Sequence, residues 1–339
     1  MPRSDTEPTA SRPDLVTERL ALTGLDYPIP AAANRFRHML GGLTAFFLTI
    51  LVLTGVYLAQ FYDPSPEGAY DSVRFIIVRA PLGDWIRSLH YWSAGAAVLT
   101  ITAHLAVTFW RRVYRRPREI TWWAGVAMAG LLFLFLVTGT ALRNDQEGSE
   151  ALAHFVAGGN LTGLLGRFFT PEFTASTPLL SRIFSLHTSA LPLALVALMG
   201  LHFWLIRHLG ISVRSDGSSV FRTHLRRLTG VALLTFAVVG FAAVLFPEGL
   251  GYPAVAGAEI TKPFWPVLWI YGLENLLGAW GMILGPTLLF GFLALTPLFD
   301  RSEADRRGWV SWTGLLLGLV VVGFWLYGVF GEAQQHIGM

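Results

Sequence analysis

Residues 88–110 read SLHYWSAGAAVLTITAHLAVTFW and residues 183–206 read IFSLHTSALPLALVALMGLHFWLI. Each run lacks Asp, Glu, Lys and Arg and is long enough, as a helix, to cross a hydrocarbon core of about 30 Å. Each also holds two histidines, His90 and His104 in the first, His187 and His202 in the second. An α-helix rises about 1.5 Å and turns about 100° per residue, so a 14-residue step returns within about 40° of its starting face, about 21 Å further along. A 15-residue step overshoots by about 60° and climbs about 22 Å. Each helix thus offers two imidazoles near one face, at two depths.

The rest of the chain has the same character. Of its 339 residues, 53% are hydrophobic and only 14% charged, too apolar for a soluble domain of this length. Further spanning runs fall near 40–60, 121–142, 229–247, 277–299 and 309–330. The sequence therefore predicts an all-α membrane protein with seven transmembrane helices, A to G, in which 88–110 is B and 183–206 is D. The first 35 residues are polar and broken by proline, and no basic stretch leads into an apolar one. Helix A is then expected to act as the insertion signal. Within that tail, Leu15, Leu20, Leu22 and Leu25 sit among charges, as in a short helix lying on the membrane surface or an ordinary frayed tail.

Arginine is concentrated in the B–C loop (Arg111, Arg112, Arg115, Arg116, Arg118), the D–E loop (Arg207, Arg214, Arg222, Arg226, Arg227) and the F–G loop (Arg301, Arg306, Arg307). The positive-inside rule turns these loops, and the N-terminus with them, to the cytoplasm. The formal charge of +3 reflects this bias, and no basic-aromatic arrangement points to nucleic acid. Two long loops, 143–182 and 248–276, fall on the outer side, where long loops tend to carry function. The polar stretch around 213–226 reads as a linker. It separates a tail (1–35) and a four-helix unit (36–212) from a three-helix unit (227–339).

Helices B and D are separated only by C, so they run in the same direction, from outside to inside. His90 and His187 then share an outer level, and His104 and His202 an inner one. A single intramembrane histidine is more often a packing or hydrogen-bonding residue. Four at matched depths on parallel helices point to two bis-imidazole haem sites, which leave no axial position for oxygen and so transfer electrons. Helices A and C repeat the 14-residue step in glycine, Gly41 with Gly55 and Gly125 with Gly139. Glycine lets a flat macrocycle approach the backbone. Arg87, Arg207 and Arg111 could pair haem propionates, although interfacial snorkelling accounts for them equally well. The chain has no cysteine, which excludes disulfides, iron–sulfur ligation and thioether-linked haem.

With these residues in view, the chain resembles the cytochrome b/b6 family, the haem-bearing core of quinol:cytochrome c or plastocyanin oxidoreductases. The resemblance is carried by LGG at 40–42, LTG at 53–55, IRSLHYWSA at 86–94, RPREITW at 116–122, SLHTSALPL at 185–193, IRHLGIS at 206–212 and the two histidine pairs. It is specific over 36–212 and looser over 226–339. The 14 residues between His187 and His202 resemble the photosynthetic type, with a b6-like part here fused to a subunit IV-like part. The resemblance implies a four-helix dihaem bundle (A–D) and a three-helix unit (E–G) in a bacterial cytoplasmic membrane. It implies two non-covalent haem b groups on His90/His187 and His104/His202, with Gly41, Gly55, Gly125 and Gly139 facing the porphyrins. It further implies a respiratory oxidoreductase subunit that oxidises quinol at an outer site between the C–D and E–F loops. One electron would go to a Rieske iron–sulfur protein and on to a c-type cytochrome, the other through both haems to quinone near the inner face, in a homodimeric complex.

Two places depart from that pattern. Where the family has Pro-Glu-Trp-Tyr, this chain has Pro263-Phe264-Trp265-Pro266, the candidate quinone pocket, without the carboxylate that would take a quinol proton. After helix C, Leu142-Arg143-Asn144-Asp145-Gln146 stands where the family has Leu-Pro-Trp-Asp/Gly-Gln. Asp145 and Glu274 are the leading candidates to supply the missing acid, with Glu147 and His154 beside them; each is otherwise a loop charge or structural residue. On the inner side Met39 stands where the photosynthetic type carries a haem-bearing cysteine, leaving His38 and Arg35 at the level of a quinone there. A second reading keeps the two haems but drops the full quinone cycle, making the chain a membrane anchor that exchanges electrons between quinone and another oxidoreductase. A third, a transporter using the histidines as a proton relay, predicts polar paths and broken helices, whereas B and D are otherwise largely apolar.

Overall fold

The computed structural model describes residues 15–213, 217–302 and 307–337. Among the described residues seven helices are long and apolar enough to span a membrane: A, Leu40–Ala59; B, Gly83–Trp110; C, Glu119–Ala141; D, Leu179–Leu209; E, Phe221–Leu245; F, Trp265–Phe299; and G, Trp309–Phe330. Large apolar side chains such as Leu53, Leu99, Leu193, Leu234, Phe241 and Leu319 are exposed on their outward faces. Lipid demands this arrangement: the backbone is satisfied within helices and the apolar side chains face outward. The chain is a multi-pass membrane protein of the predicted all-α class. Arg214 and Arg306, two of the residues used to orient it, and the first fourteen residues of the tail lie outside the described residues.

Helix A packs along B, C along D, and E closes against both A and B. Between them lies one apolar layer, in which Leu48, Ala97, Leu132 and Leu195 are buried together with Leu43, Phe47 and Ala232. Leu48, Ala97 and Leu132 each sit midway between the paired glycines or histidines of their helix, about 10 Å from either level. Because lipid is as apolar as this layer, its burial does not drive assembly as it would in water. Close packing is what it provides, keeping the two histidine levels apart.

Helix D departs from a regular α-helix just where it matters. Pro192 has no N–H to give to Thr188, and over Leu186–Ala190 the chain takes a π turn in which the Leu191 N–H bonds to the Leu186 carbonyl. A π turn absorbs one extra residue. The 15-residue step from His187 to His202 therefore behaves as a 14-residue step, and the overshoot of about 60° expected for a regular helix is removed.

The predicted loops are more ordered than hydropathy alone suggests. The C–D loop contains the helix Gln146–Thr162, whose N-cap is Asp145; its Oδ1 accepts from the Gly148 N–H at 3.0 Å. Helix F starts well before residue 277, with the stretch Leu268–Leu277, which ends where Gly278 takes a positive φ of 59°. That stretch crosses helix G at Gly272 and Gly328; a Cβ on either would stand 2.2 Å from a carbonyl oxygen of the other helix. Helix E likewise starts at Phe221, inside the stretch read as a linker. On the inner side, strand Pro28–Pro30 pairs antiparallel with Ser218–Val220, and Tyr27 stacks on Phe221 at 4.8 Å. The N-terminal segment, including the short helix Leu15–Arg19, is thereby tied to the D–E connection.

Candidate functional site

All four histidines face the interior of the A–D bundle at the two expected levels. His90 and His187 are neighbours across the bundle, and so are His104 and His202. Each ring lies against one of the four glycines. A methyl group built on Gly41 would stand 3.0 Å from His104 Cε1, on Gly55 3.4 Å from His90 Cε1, on Gly139 3.1 Å from His187 Cε1, and on Gly125 3.6 Å from His202 Cε1. At Gly41 and Gly139 a side chain would crowd the ring, whereas at Gly55 and Gly125 a methyl group would make ordinary contact with it.

Hydrogen bonds set the tautomers. Thr54 Oγ1 donates its proton to the Ile50 carbonyl at 2.7 Å, so toward His90 Nδ1, 2.8 Å away, it can only accept. Thr138 repeats the arrangement, donating to Leu134 O at 2.6 Å and facing His187 Nδ1 at 2.8 Å. At the inner level His202 Nδ1 lies 3.0 Å from the Thr121 carbonyl, another obligate acceptor. Three of the four imidazoles therefore carry their proton on Nδ1 and keep Nε2 bare, the form in which histidine ligates a metal. The donor set and the glycine cradle fit bis-imidazole haem.

The arginines are used otherwise than a propionate role requires. Arg87 is buried, and its guanidinium donates to the Glu248 carbonyl and, at 3.2 Å, to that of Gly249. Arg207 is exposed and lies over the Tyr27 ring, 4.0 Å from its centroid. Within RPREITW, Arg118 donates to the carbonyls of Leu209 (2.6 Å) and Gly210 (2.8 Å), closing the C-terminal end of helix D. Trp122 Nε1 binds the Leu293 carbonyl at 2.7 Å. At the inner surface, burial and then Arg111 and Arg37 hold His38 down to about 4, so it is neutral at physiological pH.

At the outer end, the C–D and E–F segments enclose a cleft of about 330 Å³ lined by Tyr91, Arg143, Glu147, Glu248, Pro263, Phe264 and Trp265 among others. Tyr91 and Phe264 are in ring contact at 4.5 Å, and Trp265 lies beside Phe264. A carboxylate does stand here, but it comes from another segment. Glu147 Oε1 accepts the Phe264 N–H at 3.0 Å and Oε2 accepts Arg143 Nη1 at 2.9 Å. Burial pushes the Glu147 carboxyl up to about 7 against the pull of Arg143, and burial raises Glu248 as well. Arg143 is the hub, also pairing with Asp145 at 2.7 Å and Glu248 at 2.9 Å.

Neither leading acid candidate lines this cleft. Asp145 is fully buried as a helix cap whose Oδ2 accepts Arg143 and, at 2.8 Å, the Gly251 N–H. Glu274 turns to a separate cluster with His154, 3.6 Å away. Of the Pro263–Pro266 stretch, Pro263, Phe264 and Trp265 line the cleft, whereas Pro266 is buried behind it. Sequence reasoning passed over Thr54 and Thr138. A signal was present: a Thr-Gly pair recurs at 54–55 and 138–139 on the two helices that flank the outer level.

Fold and site together define a class, a seven-helix membrane protein with facing histidines at two depths and an aromatic cleft at its outer end. The family model described as Cytochrome b/b6/petB matches residues 25–210, and the chain belongs to that family. Over 333 residues it is 30% identical to a "Cytochrome bc complex cytochrome b subunit" of Chlorobaculum thiosulfatiphilum, covering 90% of this chain and 76% of that one. It is 31% identical to a cytochrome b6 of Heliomicrobium gestii, over 55% of this chain and 90% of that one. A solved structure titled "Hyperthermophilic respiratory Complex III" superposes with a TM-score of 0.71 at 20% identity, covering 92% of this chain and 95% of the other. That last likeness speaks for the fold alone.

Proposed function

We propose that this chain is the dihaem cytochrome b subunit of a bc-type complex that oxidises quinol at its outer face. The observation that carries the reading is the pair of histidine levels, each ring cradled by a glycine and three of the four holding Nε2 free. His90 with His187 and His104 with His202 would hold two haem b groups, which supply reversible one-electron exchange when bound. About 20 Å of helix separates the levels, so electrons are relayed across the bilayer rather than pooled.

The outer cleft provides the proton chemistry. Phe264, Trp265 and Tyr91 offer apolar faces for a quinol ring, and Glu147 stands among them with a carboxyl poised near 7. A base tuned to ambient pH is suited to take a hydroxyl proton. Arg143 and the Phe264 N–H hold that carboxylate in place, and Glu248 offers a second acid in the same cleft. Phe264, standing where the family has a carboxylate, by itself favours the anchor reading. Glu147 in the same cleft supports the quinol-oxidising reading instead.

The Chlorobaculum relative, by its printed name a cytochrome b subunit of a cytochrome bc complex, supports assembly into a complex of that kind. With it we infer a Rieske protein, a c-type cytochrome and a second copy as partners, and the arginine bias of the loops supports a cytoplasmic N-terminus in a bacterial membrane. The test is quinol-dependent reduction of a c-type cytochrome by the purified complex. A requirement for the Rieske partner and loss of turnover in Glu147→Gln are expected. Equal haem reduction without that partner would leave the chain an anchor.

A further inference from the structure

The outer face carries a second polar cluster that the quinol cleft does not use. It joins four separate segments: His154 on the helix Gln146–Thr162, Glu259 in the E–F loop, Glu274 in the first part of helix F, and His336 beyond helix G. His154 Nδ1 lies 2.8 Å from the Glu150 carbonyl, which can only accept, so the proton sits on Nδ1 and Nε2 is bare. That bare nitrogen faces Glu259 Oε1 at 3.5 Å and Glu274 Oε1 at 3.6 Å. His336 Nε2 lies 2.6 Å from the Asn275 side-chain amide, and its Nδ1 lies 2.8 Å from Glu259 Oε1.

Glu259 Oε2 accepts the N–H groups of His336 (2.7 Å) and Ile337 (3.2 Å), while its Oε1 faces the two imidazoles. Glu274 is 5% exposed, and its Oε1 has no hydrogen-bond partner. Two imidazoles and two carboxylates thus converge around this buried, unpartnered oxygen. A cation would complete such a set of ligand atoms.

We propose that His154, Glu259, Glu274 and His336 bind a divalent transition metal of the zinc class. Mixed imidazole and carboxylate ligation suits zinc, whereas calcium and magnesium take oxygen ligands. Zinc bonds of about 2.0–2.2 Å in a tetrahedron place ligand atoms about 3.4 Å apart. The separations of 3.5 and 3.6 Å are close to that, and one ligand atom each from His154, Glu274 and His336 lie within 4.8 Å of one another. Binding contracts the contacts of His154 and spreads the 2.8 Å His336–Glu259 pair, whose hydrogen bond is exchanged for the metal. The Glu150 carbonyl and the Asn275 side-chain amide already orient the two rings from behind, as outer-shell partners of metal-bound histidines do. Four protein ligands make the site closed and structural, a staple between the four-helix unit and the C-terminal unit. Glu147 lies two turns before His154 on the same face of one helix, so the staple also fixes the wall of the cleft.

The site does not depend on the reading of the cleft, and its test does not use turnover. The purified complex is stripped with a chelator, and zinc content and rebinding of zinc alone are measured by elemental analysis and calorimetry. About one tight zinc per chain is expected, with an X-ray absorption edge fitted by two imidazoles and oxygen donors. Glu274→Gln and His336→Gln should each weaken binding by at least about 10-fold while the haem spectrum of the metal-free protein stays unchanged. No zinc retained or rebound by the wild-type complex would overturn the proposal, as would zinc bound equally by wild type and both variants. Because the absorption spectrum is taken on wild-type protein, a variant that fails to fold leaves the proposal testable.

Discussion

The membrane interior and the outer face of this protein are built by different rules. In the interior, every residue that matters recurs at one interval on its own helix: Gly41 and Gly55, His90 and His104, Gly125 and Gly139, and, once the π turn is counted, His187 and His202. At the outer face, the cleft draws Tyr91, Arg143, Glu147, Glu248 and Phe264 from four stretches separated by up to 173 positions in sequence. The interior is written as a period, and the face as a meeting. The apolar layer of Leu48, Ala97, Leu132 and Leu195 makes the interior two independent storeys, whereas Arg143 makes the outer face one connected network.

Removing a ligand should break the interior at one level only. His187→Ala and His202→Ala are each expected to remove about half of the reduced-minus-oxidised b-type absorbance, leaving the other storey's signal intact. Loss of both signals from either single change would show that the layer does not isolate the storeys. The outer face should respond without any change in haem. Glu147→Gln is expected to lower quinol-dependent turnover by about 100-fold at unchanged haem content. The sign of its pH dependence follows from burial. Below about 7 the Glu147 carboxyl is protonated and cannot accept a proton, so wild-type turnover should rise as pH passes upward through about 7. That limb should be absent in Glu147→Gln, and an identical limb in the variant would assign it to another group.

Connectedness at the outer face is tested by its hub. Arg143→Ala strands the fully buried Asp145 beside two further acids, a loss of about 3–5 kcal/mol for a buried charge left without its partner. The variant should show a lower melting temperature and faster proteolysis of the C–D and E–F segments, with the inner-level haem signal retained. Asp145→Asn should show part of the same destabilisation, because the Gly148 and Gly251 N–H groups lose a charged acceptor. Little effect in both variants would mean that the network holds nothing together.

How much of this could be read in advance follows from the same contrast. Helix count, the depth pairing of the histidines and the glycine faces are local periodicities, and the sequence displays them. The π turn was half visible: Pro192 was there to read, but its consequence for His187 depends on where the missing N–H leaves the Thr188 carbonyl. Helix F was read too short because Glu274 and Asn275 interrupt the apolar stretch Leu268–Leu277, which then ends at the Gly278 turn. The acids of the outer face are a different case. Asp145, Glu147 and Glu274 look alike as letters, and only the fold makes one a helix cap, one a lining residue of the cleft and one a neighbour of His154.

The smallest effect separates the two storeys from each other. His187 is held from behind by a hydroxyl, Thr138, and His202 by a main-chain carbonyl, that of Thr121. A side chain can be removed by substitution, and a carbonyl cannot. Thr138→Val preserves shape while leaving the His187 Nδ1–H without an acceptor, a cost of about 1–3 kcal/mol for a buried donor. Outer-level haem should then be retained about 10-fold less tightly, in line with the loss of an outer-shell partner. Thr121→Val leaves its carbonyl in place, so inner-level retention should not change. The measurement is the rate of haem transfer from each level to an excess of apomyoglobin. Equal rates for wild type and Thr138→Val would mean that the glycine cradle alone orients the ring.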